Sequence, residues 1–212
     1  MEDRRNGAVS ERVARLRIEL QELEPKIWRR IDMPLSTTLE ALHEAIQMTM
    51  GWTFSHLWEF DIEGRCYGDP SFREFDDEPP IYKAKGLRLG VVISRGVERF
   101  VYTYDYGDNW RHDVIVEEVS DGDPDREYPA FVDGARRCPP EDVGGPDGFM
   151  DFLEAVLDPA HEQHRDMIRW CGGPFDPIGF DEERARFCME NMVRRRRGPR
   201  ASHRSGSRRR KR

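Results

Sequence analysis

Between residues 97 and 119 the bulky apolar side chains fall mainly on even positions: Phe100, Tyr102, Tyr104, Tyr106, Trp110, His112, Val114 and Val116. The only turn-forming cluster inside this stretch is Gly107-Asp108-Asn109. Period-two patterning on both sides of a glycine-containing turn is what an antiparallel hairpin buries, so strands are expected over about 97–106 and 110–119. With those three residues as the loop, Tyr106 pairs with Trp110, Asp105 with Arg111 and Tyr104 with His112. The aromatics then share one face, and Asp105 meets Arg111 in an ion pair on the other.

The rest of the chain can be placed around that hairpin. Ala14, Leu16, Ile18 and Leu20 alternate with Arg15, Arg17 and Glu19, which predicts a half-buried strand over 13–20. A second extended run, Ile27 to Met33, ends at Pro34. Thr37 precedes Glu40 at capping-box spacing, and Leu39, Leu42, Ile46 and Met50 form a helical stripe that stops at Gly51. A helix over about 38–50 follows. Trp58, Phe60 and Ile62 alternate with acids before Gly64-Arg65, predicting a strand that turns back through Cys66 and Tyr67. Residues 69–86 read as a long loop, 87–93 as a further strand, and 121–146 as loop. Helices are expected from Phe149, from Asp158-Pro159 and from Asp181. Strands first and helices later make an α+β fold: a mostly antiparallel sheet, one helix after the second strand, and a C-terminal helical segment. Leu16, Ile18, Leu39, Leu42, Ile46, Trp58, Phe60 and Ile62 are expected to share one core.

At 212 residues the chain suits a single domain, and eleven Phe, five Trp and six Tyr supply a core despite 35% charged residues. The net charge of −7 conceals a division. Residues 194–212 hold eleven Lys or Arg and no acid, leaving 23 basic against 41 acidic groups in residues 1–193, a balance of −18. The expected organisation is a flexible N-terminus over 1–11, one α+β domain over 12–193, and a disordered basic tail over 194–212. An acidic body repels phosphate backbones, so any non-specific nucleic-acid contact falls to the tail, through Arg194, Arg195, Arg196, Arg197, Arg208, Arg209, Arg210, Lys211 and Arg212. Cys66, Cys138, Cys171 and Cys188 form no CxxC pair, which argues against a structural zinc site. No signal peptide or membrane-length apolar run is evident, so a reduced, cytoplasmic protein is the expectation.

Polar chemistry concentrates in YDYGDNWRH (104–112) and CPPEDVGG (138–145). His43, His56 and His112, with Asp105, Asp108, Glu141 and Asp142, are the residue types a Zn, Mn or Fe site uses, although no spacing among them is a recognised ligand signature. The competing reading makes His43 and His112 core histidines, Asp108 a turn residue bonding the backbone near Gly107, and the two acids of the proline-braced loop caps for the helix that follows. Under the site reading, His56, His112 and Glu141 or Asp142 line one pocket beside Trp110, with Tyr104, Asp105 and Asp108 around it. His112, Glu141 and Asp142 are then the catalytic candidates. HEQH at 161–164 is not HExxH and reads as a solvated helix face.

These two segments, together with IWRRIDMP (27–34), LEALHEAIQMTMGW (39–52) and HLWEFDIEG (56–64), resemble the plasmid pRi open-reading-frame-three-like family, met also as transposon-passenger proteins labelled TnpR. The resemblance runs from about Leu16 to about Phe187 and implies fold kinship and an association with mobile elements. It brings no activity, cofactor or partner with it. A recombinase reading conflicts with the acidic body, because recombinases need a basic DNA-binding surface. Three readings stay open: a binding or interaction module with a protein or small-ligand partner, a metal-dependent hydrolase at the His/carboxylate cluster, and a nucleic-acid accessory factor acting through the tail.

Overall fold

In the computed structural model, which describes residues 11–72 and 80–197, eight strands form one sheet in the order β5-β4-β3-β6-β7-β1-β2-β8. These are β1 (Arg12–Leu20), β2 (Trp28–Pro34), β3 (Trp58–Ile62), β4 (Arg65–Gly68), β5 (Ile81–Lys83), β6 (Arg99–Tyr104), β7 (Trp110–Asp121) and β8 (Ala130–Ala135). Every neighbouring pair is antiparallel except β4 and β5. Five helices accompany the sheet: α1 (Leu39–Met50), α2 (Leu89–Ser94), α3 (Gly145–Leu157), α4 (His164–Trp170) and α5 (Glu182–Arg197). The α+β class is the one expected. None of the described helices is long and apolar enough to cross a membrane.

The alternating residues of β1 and the stripe of α1 face each other as the patterning requires. Leu16, Ile18, Leu39, Leu42, Ile46 and Phe60 are fully buried in one cluster with Ile62, and Trp58 packs at its margin, partly buried. Gly51, at φ +97°, ends α1 in the left-handed conformation that glycine adopts without strain. The N-cap is Thr38, whose Oγ1 accepts from the Ala41 N–H at 3.2 Å, one residue beyond the capping-box position. Thr37 turns inward instead, and its Oγ1 is buried without a hydrogen-bond partner.

Five expectations need correction. The 69–86 segment is not all loop: Ile81–Lys83 form β5, which pairs parallel with β4 at the sheet edge. The 87–93 segment is not a strand: Leu89 and Val92, three residues apart, are fully buried on one side of α2, and the Leu89 N–H bonds the Thr37 carbonyl at the start of α1. Residues 121–146 contain β8, which pairs with β2 and closes the sheet edge. The 158–163 segment is turn, so the helix expected from Asp158-Pro159 begins only at His164. The basic run is not disordered from its start, because α5 continues through Arg197; residues 198–212, like the N-terminal 1–10, lie outside the described residues.

Arg29 binds these parts together. Its side chain is 1% exposed, and all five of its N–H groups are used. Nε donates to the Thr49 carbonyl (2.8 Å), Nη1 to those of Trp28 (2.8 Å) and Ala135 (2.9 Å), and Nη2 to that of Arg136 (2.9 Å) and to Cys138 Sγ (3.3 Å). The Phe180 ring covers the guanidinium at 3.9 Å. One side chain thereby joins β2, the end of α1, the end of β8 and the root of the 138–145 loop. A lysine has three donors for these five acceptors. Arg29→Lys should therefore leave two buried acceptors unpaired and cost about 2–6 kcal/mol, at roughly 1–3 kcal/mol each. Urea unfolding would measure it, and a loss below about 0.5 kcal/mol would deny Arg29 this role.

Candidate functional site

The hairpin is tighter in pairing and longer in loop than the sequence suggests. Tyr104 pairs with Trp110 and Tyr102 with His112, leaving residues 105–109 as the turn. The shift is by two residues, so the inward face keeps its side chains: Tyr102, Tyr104, Trp110 and His112 are all buried. Tyr106 drops out of the pairing and is 46% exposed, and the expected Asp105–Arg111 ion pair does not form.

Asp105 organises the turn instead. Its Oδ1 accepts from the N–H of Gly107 (2.8 Å) and of Asp108 (3.3 Å), the role the sequence assigns to Asp108. Asp108 reaches across to the other loop, where its Oδ2 accepts from the Gly144 N–H at 3.1 Å. Gly145, at φ +71°, is closest to the turn: a Cβ there would stand 2.5 Å from the Asp108 carbonyl oxygen. The two polar segments are therefore docked on each other. Glu141 and Asp142 do not cap α3, whose N-cap is Gly144 with no side-chain cap.

The third component is the connector after α1, residues 51–57. Its Trp52 indole N–H donates to the Pro139 carbonyl at 3.0 Å. The Thr53 N–H (2.7 Å) and Oγ1 (3.0 Å) both bond Glu141 Oε1. The Ser55 N–H donates to the Tyr104 hydroxyl at 3.1 Å, and that hydroxyl donates to Glu141 at 3.2 and 3.3 Å. Burial first, and the Glu141 charge second, raise the Tyr104 phenol above its ordinary pKa, so it keeps the proton it donates.

His56 stands where connector, hairpin turn and loop meet. Nδ1 lies 3.5 Å from Asp105 Oδ2, while Nε2 lies 3.1 Å from Asp142 Oδ1 and 3.7 Å from Glu141 Oε2. Nε2 is closed off from solvent, yet none of these oxygens is aligned to form a hydrogen bond with it. His56, Asp105 and Asp142 are the one His/Cys/Asp/Glu group among the described residues with ligand atoms close enough for a single ion. Asp105 and Asp142 both hold φ +58°, a left-handed conformation that non-glycine residues adopt at some cost. On the loop's other side, Glu141 also borders a cavity of about 560 Å³ walled by Trp52, Pro139, Pro140, Phe175 and Phe180.

Of the expected site residues, His56, Tyr104, Asp105, Glu141 and Asp142 come together, Asp108 holds the loop, and Trp110 lies beneath, 1% exposed. His112 and His43 do not join them. His112 is fully buried, edge-on to Trp52, with Nδ1 3.2 Å from the Tyr102 carbonyl. His43 bonds Tyr102. His161 lies before α4 rather than on it, and His164 Nδ1 is 2.9 Å from the Ala155 carbonyl. Thr53 and Ser55 had no motif to mark them; the signal was only a polar TFSH segment directly after a helix-ending glycine. Arg194, Arg195 and Arg196 are exposed on α5, and Arg208, Arg209, Arg210, Lys211 and Arg212 fall outside the described residues.

Comparison with known proteins agrees with this fold. Residues 12–184 match the sequence profile described as "Plasmid pRiA4b ORF-3-like protein". The chain is 38% identical over 181 residues to "Uncharacterized protein y4hQ" of Sinorhizobium fredii, covering 85% of this chain and 90% of that protein. The crystal structure of a protein of unknown function, MM3350 from Methanosarcina mazei Go1, superposes with a TM-score of 0.73 at 34% identity, over 82% of this chain and 97% of that one.

The two buried histidines carry a pH signature. Burial pulls His43 down to about 3 and His112 to about 4, from an ordinary value of 6.5. Below about pH 6.5 the unfolded chain takes up protons that the folded chain refuses, so stability falls with pH, approaching about 1.4 kcal/mol per unit for each histidine. Urea melts between about pH 6.5 and 5, where most carboxylates are still ionised, should show this slope, and His112→Phe should remove about half of it. An unchanged slope in that variant would mean that His112 is not buried neutral.

Proposed function

We propose that this chain, which belongs to the plasmid pRiA4b ORF-3-like protein family, is a binding module built around a divalent-metal centre held by His56, Asp105 and Asp142, with Glu141 beside them. The observation that carries the reading is the His56 Nε2: a buried ring nitrogen with no hydrogen bond, facing two carboxylates at 3.1 and 3.7 Å. Metal–ligand distances of about 2.0–2.2 Å put the ligands of a tetrahedral ion roughly 3.3 Å apart, and the ligand atoms of His56, Asp105 and Asp142 already lie within 4.8 Å of one another. Asp105 turns Oδ2 towards His56 because its Oδ1 is taken by the N–H groups of the turn, whereas both Glu141 oxygens already accept hydrogen bonds from Thr53 and Tyr104. One nitrogen and two carboxylates favour Zn, Mn or Fe over a thiolate-loving ion.

Two observations favour a hydrolase as the second reading. Three protein ligands leave a coordination position for water, as catalytic rather than structural sites do. Glu141 also borders a cavity of about 560 Å³, within the usual range for small-molecule sites. Binding is the reading that needs fewer steps, since it asks for no separate base.

Protein purified without a polyhistidine tag and stripped with chelator should bind one Zn²⁺ or Mn²⁺ per chain by calorimetry. His56→Ala and Asp142→Asn should each weaken this by about tenfold or more, which is 1.4 kcal/mol. Absence of stoichiometric binding to the wild-type chain, or full affinity in His56→Ala, would overturn the proposal.

A further inference from the structure

A second candidate site lies on the other side of α1, around a histidine that the metal centre does not use. His43 is 5% exposed and its ring lies parallel to that of Trp58, 3.9 Å apart and tilted by 9°. It lines a groove of about 520 Å³ with Phe54 and Trp58, rimmed by Lys83, Lys85 and Glu44.

The hydrogen-bond network around it has one consistent direction. The Phe54 backbone N–H, which can only donate, bonds Gln47 Oε1 at 3.2 Å. That fixes the Gln47 amide, whose nitrogen donates to the Tyr102 hydroxyl oxygen at 3.1 Å. Tyr102 must then spend its own proton elsewhere, and its other partner is His43 Nδ1 at 2.7 Å. Burial keeps Tyr102 protonated and His43 neutral. A neutral imidazole that accepts at Nδ1 carries its proton on Nε2. Unlike the sealed nitrogens of His56 and His112, His43 Nε2 is not among the closed-off unpaired atoms, and no acceptor among the described residues takes its proton.

We propose that this groove binds an uncharged planar ring bearing a hydrogen-bond acceptor, a heteroaromatic amide or nucleobase-like group, with His43 Nε2–H donating to the acceptor and Phe54 and Trp58 as the walls. An otherwise buried donor facing a cavity selects for an acceptor. The walls are aromatic, and Phe54 is 44% exposed at φ +63°, an unfavourable conformation for a bulky residue, held by the same N–H that sets the network. The rim carries both signs of charge and so gives an anion no advantage. The site is independent of the metal centre and needs no ion.

The test uses the full chain with ¹⁵N-labelled histidine and nicotinamide as probe. Long-range ¹H–¹⁵N spectra should identify His43 as the Nε2–H tautomer without any substitution. Millimolar nicotinamide should shift the His43 Nε2 signal and leave His112 unmoved, and benzoate should bind more weakly. His43→Phe keeps an aromatic stack but deletes the donor, and should weaken nicotinamide about three- to tenfold, the worth of one neutral hydrogen bond. An Nδ1–H tautomer, no shift with nicotinamide, or tighter binding of benzoate would each overturn the proposal, and these three readings are made on the unaltered protein.

Discussion

A buried, fully bonded guanidinium underlies this structure. Arg29 has no carboxylate partner among the described residues and satisfies its charge with four backbone carbonyls and a thiol. Such carbonyls would otherwise be unpaired at the frayed ends of α1, β2 and β8, where secondary structure stops supplying donors. By collecting them, Arg29 fixes where the chain leaves the sheet at Arg136 and Cys138, and so where Pro139 and Pro140 aim Glu141. Burial works against the charge, which makes the completeness of its hydrogen bonding necessary rather than incidental.

Everything polar in the candidate site follows from that anchoring. The loop can approach the hairpin turn because Gly145 carries no side chain, and Trp52 and Thr53 bond it from the connector. Asp105 and Asp142 are then both held against one imidazole in backbone conformations that cost on the order of 1–3 kcal/mol each. A purely structural hub would not need two strained acids plus a third carboxylate around a histidine. Placed together they supply the donor set of the proposed cation site, and strain of this kind persists where surrounding contacts over-determine it.

The sequence makes the fold more legible than the site, for physical reasons. Side-chain parity survives a register shift of two, so the buried face of the hairpin could be read although its turn could not. The register itself depends on Asp105 taking a left-handed conformation, which local sequence does not announce. α2 was misread because Leu87 to Ile93 is apolar enough for either period, and only its bonds to the start of α1 choose. β8 was missed because it exists by pairing with β2. Glu141, Asp142 and His56 stood out as acids and an imidazole beyond structural need, whereas His112 looked equivalent and is a core residue. Nothing in residue type separates those two histidines; position does, His112 pointing inward from β7 and His56 standing in the connector before β3.

The central claim is that one cation sits between His56 and the 138–145 loop, and crystals soaked in Mn²⁺ or Zn²⁺ test it most directly. Anomalous difference maps at the metal edge should contain a single strong peak within coordination distance of His56 and the carboxylates of Asp105 and Asp142. No peak near His56, or a peak out of reach of both carboxylates, would contradict it.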